Sequence, residues 1–154
     1  MSQRPTPHPR TAFAHFCPIS TRWMDNDAYL HVNNVAYYSF FDTAVNEYLI
    51  RGGVLDIRRS TVTGLVAHSE CHYFRPITFP EAIEVGLRVA RLGSSSVTYE
   101  LAIFRTGAEL AAAQGRFVHV YVDRETSRPV PIPESMRALL APLVMPEVMP
   151  GAQG

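Results

Sequence analysis

The sequence predicts an α+β fold: a single antiparallel sheet wrapped around one long central helix. Residues 33–51 place apolar side chains at helical spacing, whereas the second half of the chain alternates with period two in three separate runs. Gly93-Ser94-Ser95 and Thr106-Gly107 break those runs at hairpin-like intervals, which favours sequential antiparallel pairing. A chain of 154 residues with 47% hydrophobic content suits one globular domain, able to bury roughly 70% of its unfolded surface.

The elements follow in order. Residues 1–11 hold three prolines and are expected to be a flexible tail; 12–141 form the domain. Residues 12–23 are strand-like, with Pro18 implying an edge or a bulge. The helix begins at Asn33 or Asn34, either of whose side chains can cap it, and runs to Arg51, where Gly52 and Gly53 stop it. Tyr37, Phe41, Ala44 and Tyr48 form its apolar stripe, widened by Phe40 and Val45, with Ser39, Thr43 and Asn46 opposite. Residues 65–75 read as a strand ended by Pro76. Three more follow on Ile83-Val85-Leu87-Val89, on Val97-Tyr99-Leu101-Ile103 and on Val118-Val120-Val122. Pro133 opens a short helix over Glu134 to Leu140, and the prolines and glycines of 142–154 predict a second flexible tail.

Fourteen basic residues balance fourteen acidic ones, so no diffuse positive field exists to hold nucleic acid or an anionic membrane. Two cysteines, Cys17 and Cys71, are too few for a disulfide framework and are expected as buried thiols in a reducing compartment. The proline-broken start has no apolar core like that of a signal peptide, and no apolar stretch reaches the roughly 18 residues of a membrane span, so the expectation is a soluble cytoplasmic protein. Nucleophile-elbow, P-loop and dinucleotide glycine motifs are absent. Asp25-Asn26-Asp27 opens like a calcium loop but has Leu30 and Ala36 where that loop needs glycine and glutamate.

The informative segment runs from Trp23 to Asn34 and joins the first strand to the long helix. Two carboxylates, an imidazole and two carboxamides sit just ahead of a helix N-terminus, whose unpaired amides and positive dipole end can stabilise charge building on a carbonyl oxygen during acyl transfer. Asp27 can then activate water or attack that carbonyl itself. Asp and Asn ahead of a helix most often cap it or form a turn, but Asp25, Asp27, His31, Asn33 and Asn34 together exceed what one cap requires.

The run R-W-x-D-x-D-x-x-x-H-V-N-N-x-x-Y-x-x-F-F-D from Arg22 to Asp42 resembles the signature of hotdog-fold acyl-CoA thioesterases of the 4-hydroxybenzoyl-CoA thioesterase type. The likeness continues through Tyr73-Phe74-Arg75-Pro76, the turn from Arg91 to Ser96, and Val122-Asp123 with Pro131-Ile132-Pro133. The resemblance implies a hotdog fold and subunits paired through their sheets as a homodimer or homotetramer. It also implies active sites between protomers and hydrolysis of an acyl-CoA to a carboxylic acid and CoA, with no cofactor. It places the catalytic aspartate on Asp27 and the carbonyl-polarising amide on or next to Asn34. By the same likeness Ser94, Ser95 and Ser96 meet the CoA nucleotide and pantetheine, with Arg91 as a phosphate contact. Leu30 stands where the family usually has glycine.

Other residues divide between roles. Asp25 can orient the loop, pair with Arg22 or face water. His31 can protonate the leaving thiolate or orient the substrate by a hydrogen bond. Asn33, Tyr37 and Tyr38 can line an acyl pocket, although an aromatic stripe is first of all packing. Asp42, on the helix, is the alternative carboxylate. His68, Glu70 and His72 share one strand face and can begin a metal site, but no fourth ligand is evident and no metal is expected. The competing function is a non-catalytic acyl-CoA binding or sensing protein using the same pocket.

Overall fold

The computed structural model describes residues 5–145. Its elements are β1 (His15–Ser20), α1 (Asn34–Arg51), β2 (Val62–Tyr73), β3 (Ala82–Leu92), β4 (Ser96–Arg105), β5 (Ala113–Asp123) and α2 (Glu134–Leu140), with short 3-10 turns at Arg10–Ala12, Trp23–Asp25 and Ala141–Leu143. The strands form one sheet in the order β1-β3-β4-β5-β2, every neighbouring pair antiparallel. With α1 packed on one face of that sheet, this is the hotdog fold. No helix among the described residues is long and apolar enough to cross a membrane.

Local chemistry sets the limits of α1. Asn33 is the N-cap, in extended conformation with φ −61° and ψ 138°, and its side-chain oxygen accepts the Val35 N–H at 3.0 Å. At the other end the Gly52 and Gly53 N–H groups donate to the Tyr48 and Ile50 carbonyls, and Gly53 takes φ +75°, a left-handed conformation that suits glycine. Tyr37, Phe40, Phe41, Ala44, Val45 and Leu49 are buried. Leu49, not Tyr48, completes the stripe; Tyr48 is half-buried, and its hydroxyl donates to the Leu139 carbonyl at 2.8 Å.

The inward faces of β3 and β4 carry the expected residues, all buried. On β5 the phase is opposite to the expected one. Phe117 and Tyr121 share the core with α1 and His119 is buried between their rings, while Val118 and Val120 are only half-buried. Phe117 stacks on Tyr38 at 5.9 Å and meets Phe41 edge-on at 5.7 Å, contacts a valine could not make. Gly115, one step along the same face, lets the Phe41 ring and the Glu70 carbonyl approach its Cα.

The outer face of the sheet carries a transverse row of alternating charge: Glu70, Arg116, Glu100 and Arg88 stand opposite one another on β2, β5, β4 and β3. Glu100 binds Arg88 at 2.8 Å and Arg116 at 3.1 Å. Ala12 and Phe13 cover Arg88, whose guanidinium lies 5.5 Å from the Phe13 ring centroid. Parts of both expected tails are hydrogen-bonded to the domain. The Arg10 N–H donates to the Glu109 carbonyl and the Arg10 guanidinium pairs with Glu84; the Met145 N–H donates to the Val89 carbonyl. Prolines keep these segments from extended regular elements, not from short 3-10 turns or from lying along a sheet. The rest of both tails, 1–4 and 146–154, lies outside the described residues.

Candidate active site

Asp25 and Asn33 close the loop between β1 and α1, the Asn33 N–H donating to the Asp25 carbonyl at 2.8 Å. The Asp25 carboxylate is buried and fully engaged: it accepts the Arg22 main-chain N–H at 2.7 Å and the Arg22 guanidinium at 2.9 and 3.2 Å. Of the roles open to Asp25, the structure shows the pairing with Arg22, which also orients the loop. Inside this closure Asn26 bridges Val32, and the Asp27 N–H donates to the His31 carbonyl at 2.9 Å. Asp27 and His31 therefore face each other across a small lobe, with Leu30 at its turn.

Leu30 adopts φ +66°, the left-handed region, so the path that glycine would serve is kept despite the side chain. The half-buried Asp27 orients its Oδ1 by accepting the Tyr29 N–H at 2.8 Å, and among the described residues Oδ2 makes no hydrogen bond. One oxygen is fixed and the other is open to water or substrate.

Beside the lobe lies a shallow cavity of about 300 Å³, lined by His31 and Val32 ahead of α1, by Asn34 and Tyr37 in its first turn, by Tyr73 at the end of β2 and by Phe74, Arg75 and Pro76 just after it. Backbone hydrogen bonds hold the two walls: the Val32 N–H donates to the Ile77 carbonyl at 2.7 Å, and the Phe74 and Arg75 N–H groups share the Ala112 carbonyl. The Tyr37 and Tyr73 rings meet edge to face at 5.0 Å, and the Tyr73 hydroxyl donates to the Asn34 carbonyl at 3.3 Å. Burial pushes the Tyr37 phenol up to about 12 and raises the Tyr73 phenol too, so both remain neutral donors at physiological pH.

Capping leaves one amide over. Asn33 satisfies the Val35 N–H with its side chain and the Ala36 N–H with its carbonyl, whereas the Asn34 N–H has no hydrogen-bond partner among the described residues. A helix N-terminus with a free amide beside a cavity offers a preorganised donor for a developing oxyanion.

The expected site residues separate accordingly. His31, Asn34 and Tyr37 line the cavity; Asp27 lies next to it through His31. Asn33 is the cap, and Tyr38 stacks on Phe117. Asp42 is exposed on α1, accepting from the Asn46 side chain at 3.2 Å. Arg91 and Ser94 are exposed, Ser95 and Ser96 half-buried; their turn does not line the cavity, and it is clasped by the segment around α2, Ile132 N–H and Arg137 donating to the Ser94 carbonyl. His68 and His72 reach opposite oxygens of Glu70 at 3.1 and 3.3 Å, and no group of three or more His, Cys, Asp or Glu among the described residues is arranged to hold a metal. The second wall, Tyr73 to Pro76, had no role in the sequence reading beyond the resemblance; its signal was a strand running into proline.

The family model of the thioesterase-like superfamily matches residues 21–140. The crystal structure of the PA5185 protein from Pseudomonas aeruginosa is 60% identical, covering 90% of this chain and 97% of that one with a TM-score of 0.89. A predicted thioesterase from Bacillus stearothermophilus is 25% identical over 86% of this chain and 98% of its own, with a TM-score of 0.75. Among curated proteins, the uncharacterised YsmA of Bacillus subtilis strain 168 is 28% identical over 89 residues. That match spans 58% of this chain and 60% of the relative's length.

Proposed function

Because the chain belongs to the thioesterase-like superfamily, we propose that it hydrolyses an acyl-CoA thioester to a carboxylate and free CoA. The observation that carries this reading is the Asn34 N–H, unpartnered among the described residues, on a cavity whose rim at His31 adjoins the lobe that holds Asp27. The thioester carbonyl oxygen accepts from the Asn34 amide. Asp27 either takes a proton from an attacking water or attacks the carbonyl through its open oxygen. In both routes the carbon–sulfur bond breaks and the thiolate leaves and is protonated to CoA; when Asp27 attacks, the mixed anhydride it forms is then cleaved by water, so that in either route one water is consumed and the carboxylate product and free Asp27 result. Tyr37 lines the acyl pocket, and His31 orients the substrate across the cavity mouth. No cofactor enters the reaction.

A homodimer or homotetramer belongs to the same proposal. β2 is a 12-residue edge strand exposing Leu65 and Val66, a surface suited to a second copy. We place the enzyme in the cytoplasm.

The test is a free-thiol colour assay on short, long and aromatic acyl-CoA substrates with wild type, Asp27→Asn and Asp27→Ala. Turnover by wild type that falls by about 100-fold or more in both variants is expected for loss of a base or nucleophile. Full turnover in both removes Asp27 from the chemistry. Thermal stabilisation by acyl-CoA without any turnover identifies a binding protein instead.

A further inference from the structure

We infer that the substrate carries a carboxylate on its acyl chain and that Arg75 binds it; the inference rests on the thioesterase reading above and names the substrate class of that site. The chain contains no lysine, so guanidinium groups are its only strong fixed cations. Most of the described arginines are engaged: Arg10, Arg22, Arg51, Arg88, Arg105 and Arg116 pair with carboxylates, and Arg124 and Arg137 donate to main-chain carbonyls. Arg75 lines the cavity, and among the described residues its guanidinium makes no hydrogen bond or ion pair. Its backbone is fixed, its N–H donating to the Ala112 carbonyl at 3.1 Å.

Among the described residues the rest of the lining is mostly apolar or aromatic and holds no carboxylate, and the one other ionisable cation there is the His31 imidazole. An unengaged guanidinium on such a wall is a bidentate seat for a planar oxyanion.

Placement selects the source of that anion. Arg75 lines the same small cavity as Asn34, where the thioester carbonyl would be polarised. CoA phosphates hang at the far end of a long pantetheine arm, whereas a carboxylate a few methylenes along the acyl chain stays within the cavity. A volume of about 300 Å³ suits a short ω-carboxyacyl group, its methylenes against Tyr37 and Tyr73.

The experiment compares adipyl-CoA with hexanoyl-CoA, equal in chain length and differing in the terminal carboxylate, for wild type, Arg75→Ala and Arg75→Lys. Wild type is expected to show kcat/KM at least tenfold higher for adipyl-CoA. Arg75→Ala brings the ratio close to one, and Arg75→Lys restores part of it, since an ammonium keeps the charge and loses the fork. A wild-type ratio of one or less overturns the inference. So does a ratio unchanged in Arg75→Ala: equal losses on both substrates assign Arg75 to a CoA phosphate.

Absence of turnover with both substrates counts against the thioesterase reading, and the Arg75 inference is then decided by binding. Stronger thermal stabilisation by adipyl-CoA than by hexanoyl-CoA, lost in Arg75→Ala, supports it. Equal stabilisation, or none, refutes it.

Discussion

The polarising role of the Asn34 amide can be tested by removing that one hydrogen. Asn34→Pro deletes the N–H and leaves the carbonyl that accepts from Tyr73. The position suits proline: Asn34 is the first residue of α1, where no intrahelical bond uses the amide, and proline is favoured there. The preceding residue also fits, since Asn33 at φ −61° and ψ 138° already has the extended conformation that a following proline imposes. The fold should therefore survive, with stability within about 1 kcal/mol of wild type. Loss of one oxyanion donor raises the barrier by about 3 kcal/mol, or about 100-fold in kcat. Asn34→Ala, which keeps the N–H, controls for the lost carboxamide. The assay is thiol release on the best acyl-CoA substrate, with thermal melts of all three proteins. A proline variant that melts like wild type and turns over like the alanine variant would refute the reasoning.

Three further outcomes follow from the packing. Gly115→Ala should destabilise the domain by about 2 kcal/mol or more in chemical denaturation, because its Cβ would meet the Glu70 carbonyl and come within 2.7 Å of Phe41. Leu30→Gly should stabilise by about 0.5 to 1 kcal/mol: left-handed strain of about 1–2 kcal/mol is relieved against a glycine entropy cost of about 0.4–1 kcal/mol, and the side chain is 71% exposed, so little burial is lost. His119 is 4% exposed with no hydrogen-bond partner for Nε2 among the described residues, and burial holds its pKa below the ordinary 6.5 against a weaker pull from Asp42. The unfolded chain therefore binds the proton first, and stability should fall as pH drops below 6.5, at up to about 1.4 kcal/mol per unit. Denaturant titrations at pH 7.5 and 5.5 should show a smaller drop for His119→Phe than for wild type; equal drops would assign the effect elsewhere.

What the sequence made legible was local. Both ends of α1 are written in side chains that act on their own backbone, Asn33 at the start and Gly52-Gly53 at the finish, and the structure agrees at each. The phase of β5 was not legible, because residues 117–122 are apolar or aromatic at every second position in both phases except for His119. Contact with Tyr38 and Phe41, residues of another element, decides which set faces inward. The same distinction divides the cavity: its α1 wall is a contiguous segment readable as a motif, whereas Tyr73 and Arg75 reach it only because β2 pairs with β5 and ends beside Ala112.

The two aspartates of the loop show why composition alone could not assign the chemistry. Asp25 and Asp27 are the same residue type two positions apart, and their environments separate them. Asp25 is buried, with both carboxylate oxygens taken by Arg22, while its main-chain carbonyl closes the loop by accepting the Asn33 N–H. A carboxylate so engaged has no lone pair oriented toward a substrate. Asp27 is half-buried, anchored through one oxygen and paired across the lobe with His31, which keeps an acceptor beside the cavity. The lobe holds this arrangement only with its turn residue in the left-handed region. Strain at Leu30 and position at Asp27 are therefore linked: a substitution that relaxes the first without moving the second should gain stability and keep turnover, whereas one that lets the lobe swing away from α1 should lose turnover alone.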